Sequence, residues 1–198
     1  MSHLGFGTGF LDFDNDGDLD LFVANGHVYD NVEKIDHASS YAQRNQLLEN
    51  TGSGAFVDRV NAGSGFELVQ VSRGAAFADY DNDGDLDIAV NNSGGQAALL
   101  RNDGGSDAHW LGIDLRGIKS NRDGIGARVE VYIKGRQLVR EVRAGGSYLS
   151  SHDLRLLFGL GREEVAERLV IQWPGGAKQT IENAQGNQYL LIEENVGQ

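Results

Sequence analysis

Ten aspartates at fixed spacing carry most of the chemistry this chain has to offer. The stretch DFDNDGDLD at residues 12–20 returns as DYDNDGDLD at residues 79–87. Carboxylates stand at loop positions 1, 3, 5, 7 and 9: Asp12, Asp14, Asp16, Asp18 and Asp20, then Asp79, Asp81, Asp83, Asp85 and Asp87. Gly17 and Gly84, at position 6, permit the sharp backbone turn that folds the oxygens of positions 1, 3, 5 and 9 toward one point. The main-chain carbonyl of Asp18 or Asp85 is the natural fifth protein ligand, with its side chain turned outward. Five acidic side chains in nine residues repel one another unless a cation sits among them. Hard oxygen donors, with neither His nor Cys in the set, select calcium over zinc, copper or iron. Magnesium keeps its waters and demands a stricter octahedron, so it fits less well. The expectation is two calcium ions, one per loop.

A solvated acidic turn that binds nothing is the bland alternative, and the return of DxDxDGxxD with the same flanks speaks against it. EF-hand and dockerin loops open the same way, then continue into a helix with an acidic ligand at position 12. Here position 12 is Val23 or Val90. The exits LDLFVAN and LDIAVNN are rich in β-branched and aromatic residues and run into turn residues, so they read as short buried strands.

Those strands must be placed by a repeat. Leu47, Leu48, Asn50 and Gly52 after the first loop correspond to Leu99, Leu100, Asn102 and Gly104 after the second. Each unit reads as loop, strand, connection, then an LLxNxG strand and turn. The first unit carries an insertion at residues 26–45. A further strand is expected at residues 54–57, and residues 73–77 lead into the second loop. Short strands, 28 Gly, 1 Pro and an internal period point to a repeat β architecture such as a propeller.

Charge divides the chain. Residues 1–107 hold 18 acidic and 5 basic residues, residues 108–198 hold 11 and 12, and a polar Gly-rich stretch at 103–110 separates them. Two domains are expected, 1–107 and 108–198. The net charge of −12 argues against nucleic acid and anionic membranes as partners. No stretch approaches the roughly 20 apolar residues of a membrane span. Without cysteine the chain has no disulfides, and calcium can serve as the staple instead. Modules of this kind bind calcium at about 0.1–1 mM, a level found outside cells. MSHLGFGTGF has neither the basic start nor the apolar run of a signal peptide, so a secreted or periplasmic location implies a longer protein around this chain.

Residues 108–198 alternate as seven strands, WLGIDL, ARVEVYI, QLVREVR, LRLLFGL, RLVIQW, KQTIEN and QYLLIEE, which suggests a small β-sandwich. Gly135 closes a hairpin, Pro174 to Gly176 form a tight turn, and GREEVAER at 161–168 reads as one or two helical turns.

GTGFLDFDNDGDLDLFVANG and RGAAFADYDNDGDLDIAVNN resemble the FG-GAP or VCBS repeats of calcium-binding β-propellers, the type also seen in integrin α heads. SNRDGIGARVEV, GGSYLSSHDLRLLFGLG and VIQWPGG resemble the ASPIC/UnbV domain that follows such propellers in bacterial secreted proteins and in the cartilage acidic protein-like family. The resemblance implies an all-β protein: a partial β-propeller of about two calcium-loop units followed by a small β-sandwich-like domain, exported and calcium-bound. It names no activity.

Other residues offer weaker candidates. Ser150, His152 and Asp153 lie too close in sequence to converge as a triad on extended chain. His27 and His37, with Asp30, Glu33 and Asp36, offer a mixed metal or acid–base site, at a spacing that matches no zinc motif. Trp110, Trp173, Tyr132, Tyr148 and Tyr189 would suit sugar stacking if they shared one open face. Arg122 and Arg128 are placed to pair with the acidic half. Function is expected to be that of a non-catalytic extracellular binding or scaffold module, whose partner is a protein or carbohydrate; the alternative is part of a secreted propeller enzyme acting on carbohydrate. Two units cannot close a ring, so open blade edges are expected to favour self-association and any docking on the sandwich to be weakly electrostatic.

Overall fold

In the computed structural model, which describes residues 2–104 and 108–195, the two aspartate loops are the connections of two hairpins. The first joins β1 (Gly5–Leu11) to β2 (Asp20–Asn25), with Leu11 opposite Asp20; the second joins β7 (Ser72–Ala78) to β8 (Asp87–Asn92), with Ala78 opposite Asp87. The LLxNxG segments add the next strands. They are β4 (Gln46–Asn50), where Leu47 faces Phe22, and β9 (Ala98–Leu100), where Leu99 faces Ala89. A further strand, β5 (Phe56–Asp58), completes a four-stranded antiparallel sheet in the order β1-β2-β4-β5, beside the three-stranded β7-β8-β9. The period seen in the sequence is therefore a period of antiparallel sheets. Leu11, Phe22, Leu47, Phe66, Phe77, Ile88 and Val90 fill the space between the two, with the ring of Phe22 edge-on to Phe66 and Phe77. The insertion at 26–45 holds a 3-10 turn (Val32–Lys34) and the short β3 (Gln43–Arg44), which pairs with β6 (Val69–Gln70).

A second cluster of buried side chains is drawn from residues 111–192. Here β10 (His109–Arg116) pairs antiparallel with β13 (Leu156–Gly161) and parallel with β16 (Gln188–Glu193). Opposite lies a four-stranded sheet, β12 (Arg136–Glu141), β11 (Arg128–Ile133), β14 (Val165–Gln172) and β15 (Lys178–Gln185). Alternation along β11 sends Val129, Val131 and Ile133 inward, where they meet Leu111, Ile113, Phe158, Leu169, Ile171 and Trp173. The molecule is all-β, and among the described residues its sheets form no closed barrel.

All seven strands expected after residue 107 form. Gly135 (φ +78°) closes the β11–β12 hairpin, and Gly176 N–H reaches back to the Trp173 carbonyl at 2.9 Å to close the proline turn. GREEVAER is not helical. Gly161 takes φ +61°, a short turn follows, and Val165 already pairs with Gln185 while Ala166, opposite Ala184, is buried in the core. Pairing with β15 overrides the helical preference of Glu and Ala. Of the polar stretch at 103–110, residues 105–107 lie outside the described residues, and His109 and Trp110 already belong to β10.

One carboxylate closes the sandwich. Glu194 accepts the backbone N–H groups of Ile118, Lys119 and Ser120 at 2.9, 2.8 and 2.7 Å, and the Ser120 hydroxyl at 2.8 Å. The Ser120 N–H leads in holding its pKa down at about 2. A depressed carboxylate stabilises the fold above its ordinary value of 4.5 and loses that contribution as pH falls toward about 2. Glu194→Gln should therefore lower the thermal midpoint at pH 7, with the gap to the parent closing between pH 4.5 and 2. A gap that does not change with pH would show that the charge is irrelevant.

Candidate metal centres

Both aspartate loops adopt the same conformation, and it is one that few residues tolerate. Asn15 and Asn82 at position 4 sit at φ +57° and +62°, and Gly17 and Gly84 at position 6 sit at φ +93° and +96°. Asn accepts the left-handed region more readily than most side chains, and Gly takes it freely. The turns aim backbone N–H groups inward. Asp12 Oδ2 accepts Gly17 N–H at 3.1 Å, and Asp79 Oδ2 accepts Gly84 N–H at 2.9 Å.

Position 9 ties each loop to its LLxNxG strand. Asp20 accepts the N–H of Phe13 at 3.1 Å and of Asn50 at 2.8 Å; Asp87 accepts those of Tyr80 and Asn102 at the same two distances. The asparagine side chains of LLxNxG add further ties: Asn50 donates to the Leu19 carbonyl at 3.2 Å and Asn102 to the Phe13 carbonyl at 2.8 Å, while each accepts the N–H of the motif's glycine, Gly52 or Gly104. The carboxylates of Asp12, Asp14 and Asp20 each offer an oxygen within 4.8 Å of the other two, and those of Asp79, Asp81 and Asp87 do the same. These are positions 1, 3 and 9, and positions 1 and 9 are buried in both loops. At position 5, Asp16 and Asp83 accept the N–H of Asp18 and Asp85 at 2.7 and 3.0 Å. At position 7, the Asp18 side chain accepts from Arg136 at 2.8 Å and that of Asp85 from Asn15 at 2.8 Å.

Burial, reinforced by like charge, raises the pKa of Asp12, Asp14, Asp20, Asp85 and Asp87. Burial pushes Asp12 up to about 7 against the pull of Arg140, with Asp16, Asp14 and Asp20 adding to the rise. Burial lifts Asp20 to about 6 despite the two N–H groups it accepts, and lifts Asp85 to about 6 with help from Asp83 and Asp79. Asp14 and Asp87 are raised for the same first reason. Asp12 Oδ1 is buried with no hydrogen-bond partner among the described residues.

The loops do not open onto solvent alone. Gly159 N–H donates to Asp12 Oδ2 at 3.2 Å, Gly161 N–H to the Asn15 carbonyl at 2.9 Å, and Tyr189 Oη–H to Asp79 Oδ2 at 2.7 Å. Arg136 donates to the Asp16 carbonyl at 3.0 Å, Arg155 to the Asp79 carbonyl at 2.7 Å, and half-buried Arg140 lies 3.8 Å from Asp12. Trp110 covers Gly84 so closely that a Cβ there would fall 2.0 Å from its ring; one at Gly159 would fall 2.4 Å from the Asn15 backbone. The sandwich therefore docks on the loops through a dense set of hydrogen bonds, where weak electrostatic attraction was expected.

Arg122 and Arg128 are not the arginines that meet the acidic half: Arg128 pairs with Glu130, and the contacts come from Arg136, Arg140 and Arg155. Tyr189, expected as a sugar-stacking aromatic, bonds to the second loop instead, and those three arginines with Gly159 are the site residues that sequence reasoning missed. Their only sequence signal is membership of GGSYLSSHDLRLLFGLG and the strands around it.

The remaining candidates scatter. Ser150 Oγ donates to the Tyr148 carbonyl, the His152 ring accepts from Phe77 N–H, and Asp153 pairs with Arg155. His27 accepts from Tyr29 N–H, Glu33 from Tyr41 N–H and Asp36 from Ala38 N–H, each within the insertion. The aromatics share no face: Trp173 is core, Trp110 packs on Tyr189, Tyr148 on Phe6, and Tyr132 lies under Arg168.

Residues 12–90, which hold every gathered aspartate, match the FG-GAP-like repeat family, and residues 117–198 match the family described as ASPIC and UnbV. The chain joins FG-GAP-like repeats to an ASPIC and UnbV domain. It is similar to cartilage acidic protein 1 of Homo sapiens, 28% identical over 188 residues, which is 92% of this chain and 27% of the human protein. The mouse protein of that name is 30% identical over 83% of this chain, and that of Xenopus tropicalis 29% over 88%. The chain spans about a quarter of the length of these relatives, 25% of the mouse and 26% of the Xenopus protein. Every ASPIC/UnbV residue that touches a loop, from Arg136 to Tyr189, falls inside the second match, and Trp110 falls between the two.

The raised carboxylates set a pH dependence. A group with a raised folded-state pKa contributes stability below its unfolded value of 3.8 and loses it as pH rises through the folded value. With chelator present, the thermal midpoint should fall as pH is raised from about 5 to about 8, and Asp12→Asn should flatten that slope. A midpoint that climbs across this window would contradict the burial of like charge at the first loop.

Proposed function

We propose that each loop binds one calcium ion, and that the chain is a calcium-stabilised, non-catalytic module of an extracellular protein. The observation that carries this is the duplicated gathering of three carboxylates within 4.8 Å, two of each three buried. Buried like charges this close are unfavourable unless a cation compensates them. The donor set is all oxygen, which suits calcium, and the unpartnered Oδ1 of Asp12 is the kind of atom an ion would satisfy. Asp12, Asp14 and Asp20 would hold the first ion and Asp79, Asp81 and Asp87 the second, with Asp16, Asp83 and the carbonyls of Asp18 and Asp85 as further oxygens. When bound, calcium supplies charge neutralisation and a rigid crosslink between hairpin and neighbouring strand. No chemical step is assigned to it.

An extracellular or periplasmic setting follows from the affinity expected of such sites, about 0.1–1 mM. The similarity to cartilage acidic protein 1 is consistent with that setting. Residues 1–107 and 108–198 would be two units of one module, the first contributing the ions and the second covering them. Among the described residues no helix is long and apolar enough to cross a membrane, and partners are taken to be extracellular proteins or carbohydrates. The carbohydrate-enzyme alternative would call for convergent His and carboxylate side chains, whereas His27, His152 and Ser150 each bond to backbone groups.

Calorimetric titration of the chelated, dialysed chain should give two equivalents of calcium. Asp14→Ala and Asp81→Ala should each remove one equivalent, because each deletes a position-3 ligand and spares the buried anchors at positions 1 and 9. No binding, or tighter binding of zinc than of calcium, would overturn the assignment.

A further inference from the structure

Both loops present the same atom to the sandwich. Oδ2 of the position-1 aspartate takes one hydrogen bond from within its own loop and a second from the other half of the chain. In the first loop the two donors are Gly17 N–H and Gly159 N–H of β13; in the second they are Gly84 N–H and Tyr189 Oη–H of β16. The two outside donors share no sequence pattern and differ in kind, one a backbone amide and one a phenol. They come from the two strands that flank β10 in a single sheet. The sheet therefore spans both loops and holds the corresponding oxygen of each.

Contacts around this pair are of the same character. Gly161 N–H and Arg136 donate to carbonyls of the first loop, at Asn15 and Asp16, and Arg155 donates to the Asp79 carbonyl of the second. The loops also touch each other: the buried Asn15 side chain donates to the Gly84 carbonyl at 3.1 Å and to Asp85 at 2.8 Å. Nearly every outside donor is aimed at a loop acceptor whose position depends on the loop keeping its shape.

We infer that the aspartate loops are a cation-dependent docking surface for the sandwich, with Tyr189 and Gly159 as positioning residues that link ion binding at each loop to closure of the two halves. The inference rests on the calcium reading above. A loop without its ion is held by hydrogen bonds alone against the repulsion of its own carboxylates, so it samples shapes in which the position-1 oxygen and the turn carbonyls leave their places. The sandwich donors then lose their acceptors. Linkage makes the effect reciprocal: calcium favours the docked form by the same factor by which docking favours calcium. Tyr189 suits the role because its phenol is a hydrogen-bond donor at neutral pH and reaches Asp79 Oδ2 at 2.7 Å. Its ring is fixed against Trp110 and beneath Arg155, so the hydroxyl is delivered from a packed side chain.

The test uses the whole chain. Hydrogen exchange on the parent protein, with calcium and with chelator, reads the Gly159 and Gly161 amides, whose acceptors are loop atoms. Chelation should reduce protection at these two amides about tenfold or more, while amides between β14 and β15, remote from the loops, stay unchanged. In parallel, calcium titration of Tyr189→Phe should show one of two sites weakened about tenfold, the effect of one hydrogen bond to a charged group, with the packed ring retained. Tyr132→Phe, which removes a hydroxyl bonded to Glu130, should leave both sites as in the parent. If the parent binds no calcium, the calcium reading itself fails. If the parent binds two ions but Tyr189→Phe binds them equally well, or if chelation leaves Gly159 and Gly161 protected or exposes all amides alike, the linkage is wrong and the calcium reading stands.

Discussion

Repulsion among buried carboxylates is the interaction on which this architecture turns. Positions 1 and 9 of each loop are withdrawn from water, so their charges face one another in a medium that screens poorly. Such an arrangement survives only if donors are built around it. The turn supplies some, by placing Asn and Gly in the left-handed region so that backbone N–H groups point inward. The strand next door supplies another, through the Asn50 or Asn102 amide. The hairpin register, with Leu11 opposite Asp20 and Ala78 opposite Asp87, then fixes how far apart the ends of the loop stand.

The sandwich completes the set. Its sheet β13-β10-β16 lies across both loops, and its arginines reach loop carbonyls and outer carboxylates. The charge division of the chain acquires a local meaning here. An acidic half does not meet a strongly basic one; it meets a nearly neutral half that brings three arginines, Arg136, Arg140 and Arg155, to the contact. Arg140 is the sharpest case, since its burial beside Asp12 lowers its own pKa while it opposes the rise at the aspartate. Tyr189 and Gly159 add neutral donors to the same surface. Close approach is permitted by missing side chains, because a Cβ at Gly84 or Gly159 would collide with Trp110 or with the Asn15 backbone.

Most of the elements and all of the candidate ligands are legible in short stretches of the chain. DxDxDGxxD with strand-forming exits specifies turn, donors and hairpin within some twenty residues, and a local pattern of this kind is legible because every interaction it needs lies within it or in the next strand. Period-two alternation likewise located all seven strands after residue 107, since one buried face is enough to impose it. GREEVAER failed for the complementary reason: Glu and Ala favour helix locally, and only pairing with a strand twenty residues on makes the segment extended.

Tertiary structure alone decided which residues outside the loops belong to the site. Arg122 and Arg128 are as basic as Arg136, Arg140 and Arg155, and nothing in their neighbours distinguishes them. The difference is which strand carries them: Arg136 and Arg140 lie on the edge strand β12 and Arg155 just before β13, whereas Arg128 lies on β11, one strand further in, and Arg122 in a turn. Tyr189 lies 110 residues from Asp79 and Gly159 lies 147 from Asp12, and contacts at such separation depend on the relative placement of two packed cores. That placement is fixed by many shallow complementarities of shape and hydrogen bonding, none of which leaves a periodic or short-range mark on the chain.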